Sequence, residues 1–254
     1  MNNHLTIKCK GSLIPVESPL VMGIVNITPD SFFEGSRYNF NACQFADIVD
    51  IGACSTRPGG EQCSENEEIS RLESAKNDIL SATKGKILSI DTFRASVAQY
   101  AIENFDADII NDISGGADDI FDVVAKYNKA YVLTYPEDGG VDKMLFFFSK
   151  KIDTLSRLGV SDIILDPGIG FGKTVESNFK AIRDLRALKT MGLPILVGIS
   201  RKSLIYKSLE ISPSEALNGT TALNTILLEK GADILRVHDT KEAAEAIKLF
   251  KLTR

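Results

Sequence analysis

The same start recurs on every second apolar run of this chain: Ala46-Asp47-Ile48, Ala107-Asp108-Ile109, Ser161-Asp162-Ile163 and Ala232-Asp233-Ile234. The runs are LVMGIVN from Leu20, DIVDIG from Asp47, KILSID from Lys86, DIIND from Asp108, AYVLTY from Ala130, DIILD from Asp162, PILVGIS from Pro194 and DILRVH from Asp233. Their near-continuous Val/Ile/Leu content suits parallel strands covered on both faces. Amphipathic stretches such as ENEEISRLESAKNDILSAT, RASVAQYAIENF and ESNFKAIRDLRALKTMG lie between them, with apolar residues recurring at three and four. Strand then helix, repeated, means a parallel α/β fold. An element on alternate strands is what an eight-stranded barrel built from βαβα quarters leaves behind, whereas a doubly wound open sheet predicts no such alternation. We therefore expect one α/β domain over residues 1–254, an eight-stranded parallel (β/α)8 TIM barrel with a short N-terminal arm. The first crossover stands out. TPDSFFEGSRYN uses most of its residues and NFNACQFA leaves about two helical turns, so either the first helix is unusually short or residues are absent there.

Charge and cysteine usage narrow the chemistry. With 29 Lys and Arg against 34 Asp and Glu, the net charge is −5, and no basic cluster marks a nucleic-acid surface. No apolar run is long enough to span a bilayer, and MNNHLTIKCK lacks the apolar core of a secretory signal. The chain reads as cytosolic. Cys9, Cys43, Cys54 and Cys63 form no C-x-x-C pair and read as reduced thiols. Only His4 and His238 occur, which excludes a three-histidine zinc site.

Barrel active sites lie at the carboxyl ends of the strands. Reading the end of each run gives Asn26, Asp50, Asp91, Asn111 with Asp112, Tyr135, Asp166, Ser200-Arg201-Lys202, and Arg236 with His238. Asp91, Asn111 and Asp166 suit a flat heterocycle bearing N–H donors. Arg57, Arg236 and His238 suit a phosphate-type leaving group. No nucleophile and base stand in a recognisable order. Asp166-Pro-Gly-Ile-Gly-Phe-Gly-Lys-Thr174 misses a Walker A loop, because Pro167 stands where its first glycine is needed. Its glycines can equally make a tight loop over the barrel mouth.

MGIVNITPDSF from Met22, DIGACSTRPGGE from Asp50, SIDTFRASVA, ADIINDISGG, ILDPGIGFGKT, LVGISRKS and ADILRVHD closely resemble, in order, the motifs of the dihydropteroate synthase family. The resemblance implies a transferase of folate biosynthesis. Such an enzyme condenses 6-hydroxymethyl-7,8-dihydropterin diphosphate with p-aminobenzoate to give 7,8-dihydropteroate and diphosphate, and is a sulfonamide target. It implies a pterin pocket of Asp91, Asn111, Asp166 and Lys202. It implies a diphosphate site of Asn26, Arg57, Arg236 and His238, with Mg²⁺ at Asn26. It implies p-aminobenzoate contacts at Thr56, Arg57, Pro58, Phe171, Ser200 and Lys202, and a homodimer. The chain departs from the family at Phe33-Glu34, at Cys54 where a Glu is usual, at Thr134-Tyr135 where Met-His is common, and in a short loop from Glu137 to Val141. A methyltetrahydrofolate-dependent methyltransferase barrel and a non-catalytic pterin-binding paralogue are the rival readings. The first has no use for the Ser-Thr-Arg-Pro loop.

Overall fold

The computed structural model describes residues 6–9, 12–15, 18–28, 38–54 and 63–253. A two-stranded antiparallel hairpin, β1 (Thr6–Cys9) and β2 (Ser12–Pro15), precedes the barrel strands β3 (Leu20–Asn26), β4 (Ile48–Gly52), β5 (Ile87–Asp91), β6 (Ile109–Asp112), β7 (Ala130–Thr134), β8 (Ile163–Asp166), β9 (Leu196–Val197) and β10 (Ile234–Val237). These eight pair in parallel in the order β8-β7-β6-β5-β4-β3-β10-β9. A bridge from Leu165 to Ile195 closes the ring. The expected parallel barrel is observed.

Asp47, Asp108, Asp162 and Asp233 each stand directly before β4, β6, β8 and β10. The geometry gives the repeat a physical reason. The carboxylates of Asp47, Asp108 and Asp233 accept the N–H of Val21, Leu88 and Ile195 at 2.8, 3.0 and 2.8 Å. The N–H of each aspartate returns a bond to the carbonyl of that same neighbour. Where a strand starts lower than its partner, a backbone donor would be orphaned, and the aspartate satisfies it.

Side-chain alternation sorts the strand residues into two cores. Val21, Val49, Leu88, Ile110, Leu133, Leu165 and Leu235 point outward against the helices. Met22, Ile48, Ile87, Ile109, Val132, Ile164, Leu196 and Ile234 point inward and make an apolar floor, joined from below by Ile7 of the hairpin. The N-terminal arm is thus a plug. Burying Ile7 alone is worth about 1.5–3 kcal/mol.

The helices are α1 (Glu65–Ser74), α2 (Lys76–Ala82), α3 (Ala95–Phe105), α4 (Asp118–Tyr127), α5 (Gly140–Arg157), α6 (Val175–Asp184), α7 (Ser203–Leu209), α8 (Leu217–Glu229) and α9 (Thr240–Leu252). Between β3 and β4 the described residues hold only a 3-10 helix, Phe40–Phe45, in line with the short crossover read from the sequence. Two expected helical stretches come out divided. The first bends at Ala75, which keeps both Leu72 and Ile79 against the barrel. The other tightens to 3-10 over Leu185–Met191, where Lys189 Nζ reaches both oxygens of Asp233 at 2.7 Å.

Candidate active site

Above the apolar floor the inward positions turn polar within one step of the strand period. Ile48 is followed by Asp50, Ile87 by Ser89 and Asp91, Ile109 by Asn111, Val132 by Thr134, Ile164 by Asp166, and Ile234 by Arg236. Asp50 ties them together. Its fully buried carboxylate accepts from Ser89 Oγ at 2.6 Å, Asn111 Nδ2 at 3.0 Å and Arg236 Nε at 2.6 Å. Arg236 Nη2 donates to Asp91 Oδ2 at 2.6 Å. Burial opposes the Arg236 charge, yet the two carboxylates more than offset it and hold the guanidinium above its ordinary pKa. Asp91 is lifted to about 7 by burial against the pull of Arg236, with Asp50 adding to the lift. Asn111 Oδ1 and Thr134 Oγ1 are buried on neighbouring strands with no hydrogen-bond partner. Orphaned buried polar atoms in a polar mouth mark a place for a hydrogen-bonding ligand.

Asp166 ends β8, 5% exposed, with Oδ1 accepting the Gly168 N–H at 2.7 Å. Burial raises its pKa against the opposing charge of Lys202. The glycine-rich segment after it is a folded loop: the Gly168 N–H goes to Asp166, the Gly170 N–H goes to Asn178 Oδ1 at 2.6 Å, and Lys173 Nζ bridges the carbonyls of Gly168 and Tyr135. Those N–H groups cannot cradle a phosphate. Gly170 stands at φ +93°, a backbone conformation that side-chain-bearing residues rarely adopt, and its missing Cβ leaves room for Lys202 Cδ, which a Cβ would meet at 2.5 Å. Lys202 therefore lies across this loop, with Nζ on the Ile169 carbonyl at 2.5 Å and 4.3 Å from the Phe171 ring centroid. Burial lowers it to about 8, against the pull of Asp166.

His238 follows β10, and both its N–H and Nδ1 lie within 3.2 Å of Ser200 Oγ. Burial, with Arg236, Arg201 and Lys202 adding, pushes it down to about 3. It is a neutral ring at pH 7, so it offers a hydrogen bond rather than a cation. Asn26 ends β3 beside Gly52, and a Cβ at Gly52 would lie 3.1 Å from Asn26 Oδ1.

Of the residues singled out in the sequence, Asp91, Asn111, Asp166, Arg236, Lys202, Phe171, Ser200, His238 and Asn26 all occupy this end of the barrel. Thr56, Arg57 and Pro58 lie outside the described residues. Three run-end residues turn elsewhere. Asp112 accepts the Tyr131 hydroxyl at 2.5 Å and the Ser114 N–H at 2.7 Å. Tyr135 packs outward against Phe147 and Phe148, leaving Thr134 to face in. Arg201 forks onto Asp239 at 2.9 Å and onto the carbonyls of Pro213 and Ser214. Asp50, noted as a run end without a role, is the hub; Ser89 and Thr134 were missed. The signal was available: Ser89 stands two residues before Asp91, and Thr134 pairs in register with Asp166.

A model of pterin binding enzymes matches residues 22–238. The chain is 41% identical to the dihydropteroate synthase of Clostridium beijerinckii, over 92% of this chain and 93% of the relative. Its fold superposes on Yersinia pestis dihydropteroate synthase in a sulfonamide drug complex with a TM-score of 0.89 at 31% identity, covering 98% and 99% of the two chains. It superposes on the Xanthomonas albilineans enzyme with 4-aminobenzoic acid at 0.89 and 30% identity, covering 98% and 97%.

Proposed function

The chain belongs to the pterin-binding enzymes as a dihydropteroate synthase, and from that premise we propose how its residues carry out the reaction, with residues 1–254 acting as one pterin-binding domain. The amine of p-aminobenzoate attacks the exocyclic methylene of 6-hydroxymethyl-7,8-dihydropterin diphosphate. The C–O bond to diphosphate breaks, and the amine loses one proton. An aniline is already a neutral nucleophile, so the protein's work is positioning and charge stabilisation.

Asp91, Asn111, Asp166 and Lys202 form the pterin pocket. Asp166 meets the planar N–H edge of the ring as a carboxylate meets a fork of donors, and the orphaned Asn111 Oδ1 supports the assignment most directly. Arg236 and His238, with Asn26 and Arg57, receive the leaving diphosphate: Arg236 by charge, His238 by a neutral hydrogen bond. Phe171, Ser200 and Lys202, with Thr56, Arg57 and Pro58, hold p-aminobenzoate, and a sulfonamide fits the same donors. Thr134 and Ser89 join the pocket through Asp166 and Asp50.

Mg²⁺ fits at Asn26. A hard cation that keeps several waters and binds mainly through substrate phosphates needs few protein oxygens, and the glycine at 52 spares Asn26 Oδ1 the crowding of a Cβ at 3.1 Å. Bound there it would neutralise charge on the departing diphosphate. The reading includes a cytosolic homodimer. Cys43, Cys54 and Cys63 are in no disulfide, which suits the compartment. Exposed Ile226, Leu249 and Leu252 on α8 and α9 suit an interface. No described helix is long and apolar enough to cross a membrane.

Ligand titration tests the assignment. A sulfonamide should compete with p-aminobenzoate, and both should bind more tightly once diphosphate and magnesium are present, because the anion favours the ligand-competent state of a site rich in cationic groups. Tight binding of methyltetrahydrofolate with none of diphosphate would favour the methyltransferase reading instead.

The Lys202 shift adds a pH dependence. A carboxylate ligand needs the ammonium, so above pH 8 binding must take up a proton, and p-aminobenzoate affinity should fall about thirtyfold between pH 7 and 9.5. Lys202→Arg, which stays charged, should flatten the curve. A flat wild-type profile by calorimetry would remove Lys202 from the carboxylate site.

A further inference from the structure

Just past the end of β4, the sulfurs of Cys54 and Cys63 and a carboxylate oxygen of Glu68 all lie within 4.8 Å of one another. The two thiols are hydrogen-bonded, and neither is in a disulfide. Arg94, at the start of α3, completes the group. It ion-pairs with Glu68, donates to the Cys63 carbonyl at 2.6 Å and hydrogen-bonds Cys54. A metal ion would compete with this guanidinium for Glu68. Cys54 is partly exposed and so open to a small oxidant, while Cys63 is buried behind it and burial pushes its thiol pKa up.

We propose that Cys54 and Cys63 are a modification site for hydroperoxides, closing to a reversible disulfide that slows the condensation. The Cys54 thiol attacks the peroxide oxygen, the O–O bond breaks, and the products are a sulfenic acid and water, or the alcohol when the hydroperoxide is organic. The Cys63 thiol then attacks the sulfenic sulfur, and its proton leaves with the hydroxyl as water. Two thiols are oxidised by two electrons and one O–O bond is reduced. The S–S bond, about 2.05 Å long, draws both sulfurs inward from their present separation. It closes a ring over residues 54–63, which contain Thr56, Arg57 and Pro58. The effect on turnover rests on the function proposed above; the bond itself does not.

The test treats the reduced full chain with hydrogen peroxide, maps crosslinked peptides by mass spectrometry without reductant, and follows diphosphate release in parallel. A Cys54–Cys63 link lighter by two hydrogens should form. Turnover should fall by about ten- to a hundredfold, the scale of a small misplacement of substrate contacts, and dithiothreitol should restore both. Cys63→Ser should keep its starting activity within about twofold, resist crosslinking and leave a dimedone-reactive sulfenic acid at Cys54. Cys43→Ser should respond as wild type, since Cys43 is buried elsewhere. Absence of the link, a link without loss of turnover, or zinc bound one to one that shields both thiols would each overturn the proposal. If the reduced chain releases no diphosphate, the function reading fails while the mass measurement still decides the disulfide.

Discussion

Asn in place of Asp166 should weaken binding of the free pterin alcohol by about 5- to 150-fold, equivalent to about 1–3 kcal/mol. Oδ1 of Asp166 already holds the Gly168 N–H at 2.7 Å, and an asparagine oxygen can keep that bond and the loop it anchors. The other carboxylate oxygen becomes an NH₂, so a donor meets the donors of the ligand edge and both are left unsatisfied in a buried site. The substitution also removes the charge that holds up the Lys202 ammonium, which would then lose its proton more readily. Calorimetry gives the affinity, and a thermal melt within a few degrees of wild type shows that the loop survives. Unchanged pterin affinity would count against the pocket.

Arg236→Met should cost about 3–5 kcal/mol of folding stability, the penalty for stranding buried charge when one partner of a pair is removed. A domain has about 5–15 kcal/mol in total, so most of the margin is at stake. Arg236 is the shared counter-ion of Asp50 and Asp91, and without it two carboxylates face one another in the barrel centre. They answer by holding a proton that the unfolded chain releases above about pH 4. The native state then binds more protons than the unfolded state, so the stability of the variant should decline as pH rises from about 4, and its deficit should shrink on acidification. Asp50→Asn in the same chain should recover part of the loss by removing one charge while keeping an acceptor for Ser89. Denaturant melts at pH 5 and 8 read this directly. A variant as stable as wild type at pH 8 would show that the carboxylates find compensation elsewhere.

The barrel was legible because its quarter repeat is a local device. Asp47, Asp108 and Asp233 each cap a backbone donor on the strand immediately before theirs, so the requirement recurs where a strand starts low. Asn26, Asp91, Asp166 and Lys202 were legible for a related reason, since they end or follow apolar runs where a polar residue has no packing role. Asp50 was harder. It lies inside β4, and its part depends on Arg236, 186 positions away. The sequence shows a charge in a buried strand but not its partner. Tyr135 misled because it also ends an apolar run, and only the strand register decides that Thr134 faces in. The neutral state of His238 could not be read from its residue type, because it follows from burial beside three cations drawn together by the closed barrel.

The central claim is that this mouth transfers a pterin methylene to an arylamine with loss of diphosphate. It is tested most directly by diphosphate release from 6-hydroxymethyl-7,8-dihydropterin diphosphate, with and without p-aminobenzoate, in magnesium-containing buffer. The account predicts release that depends on p-aminobenzoate and matches the dihydropteroate formed mole for mole. Pterin diphosphate that binds tightly but releases nothing in the presence of p-aminobenzoate would contradict it and make the chain a binding protein.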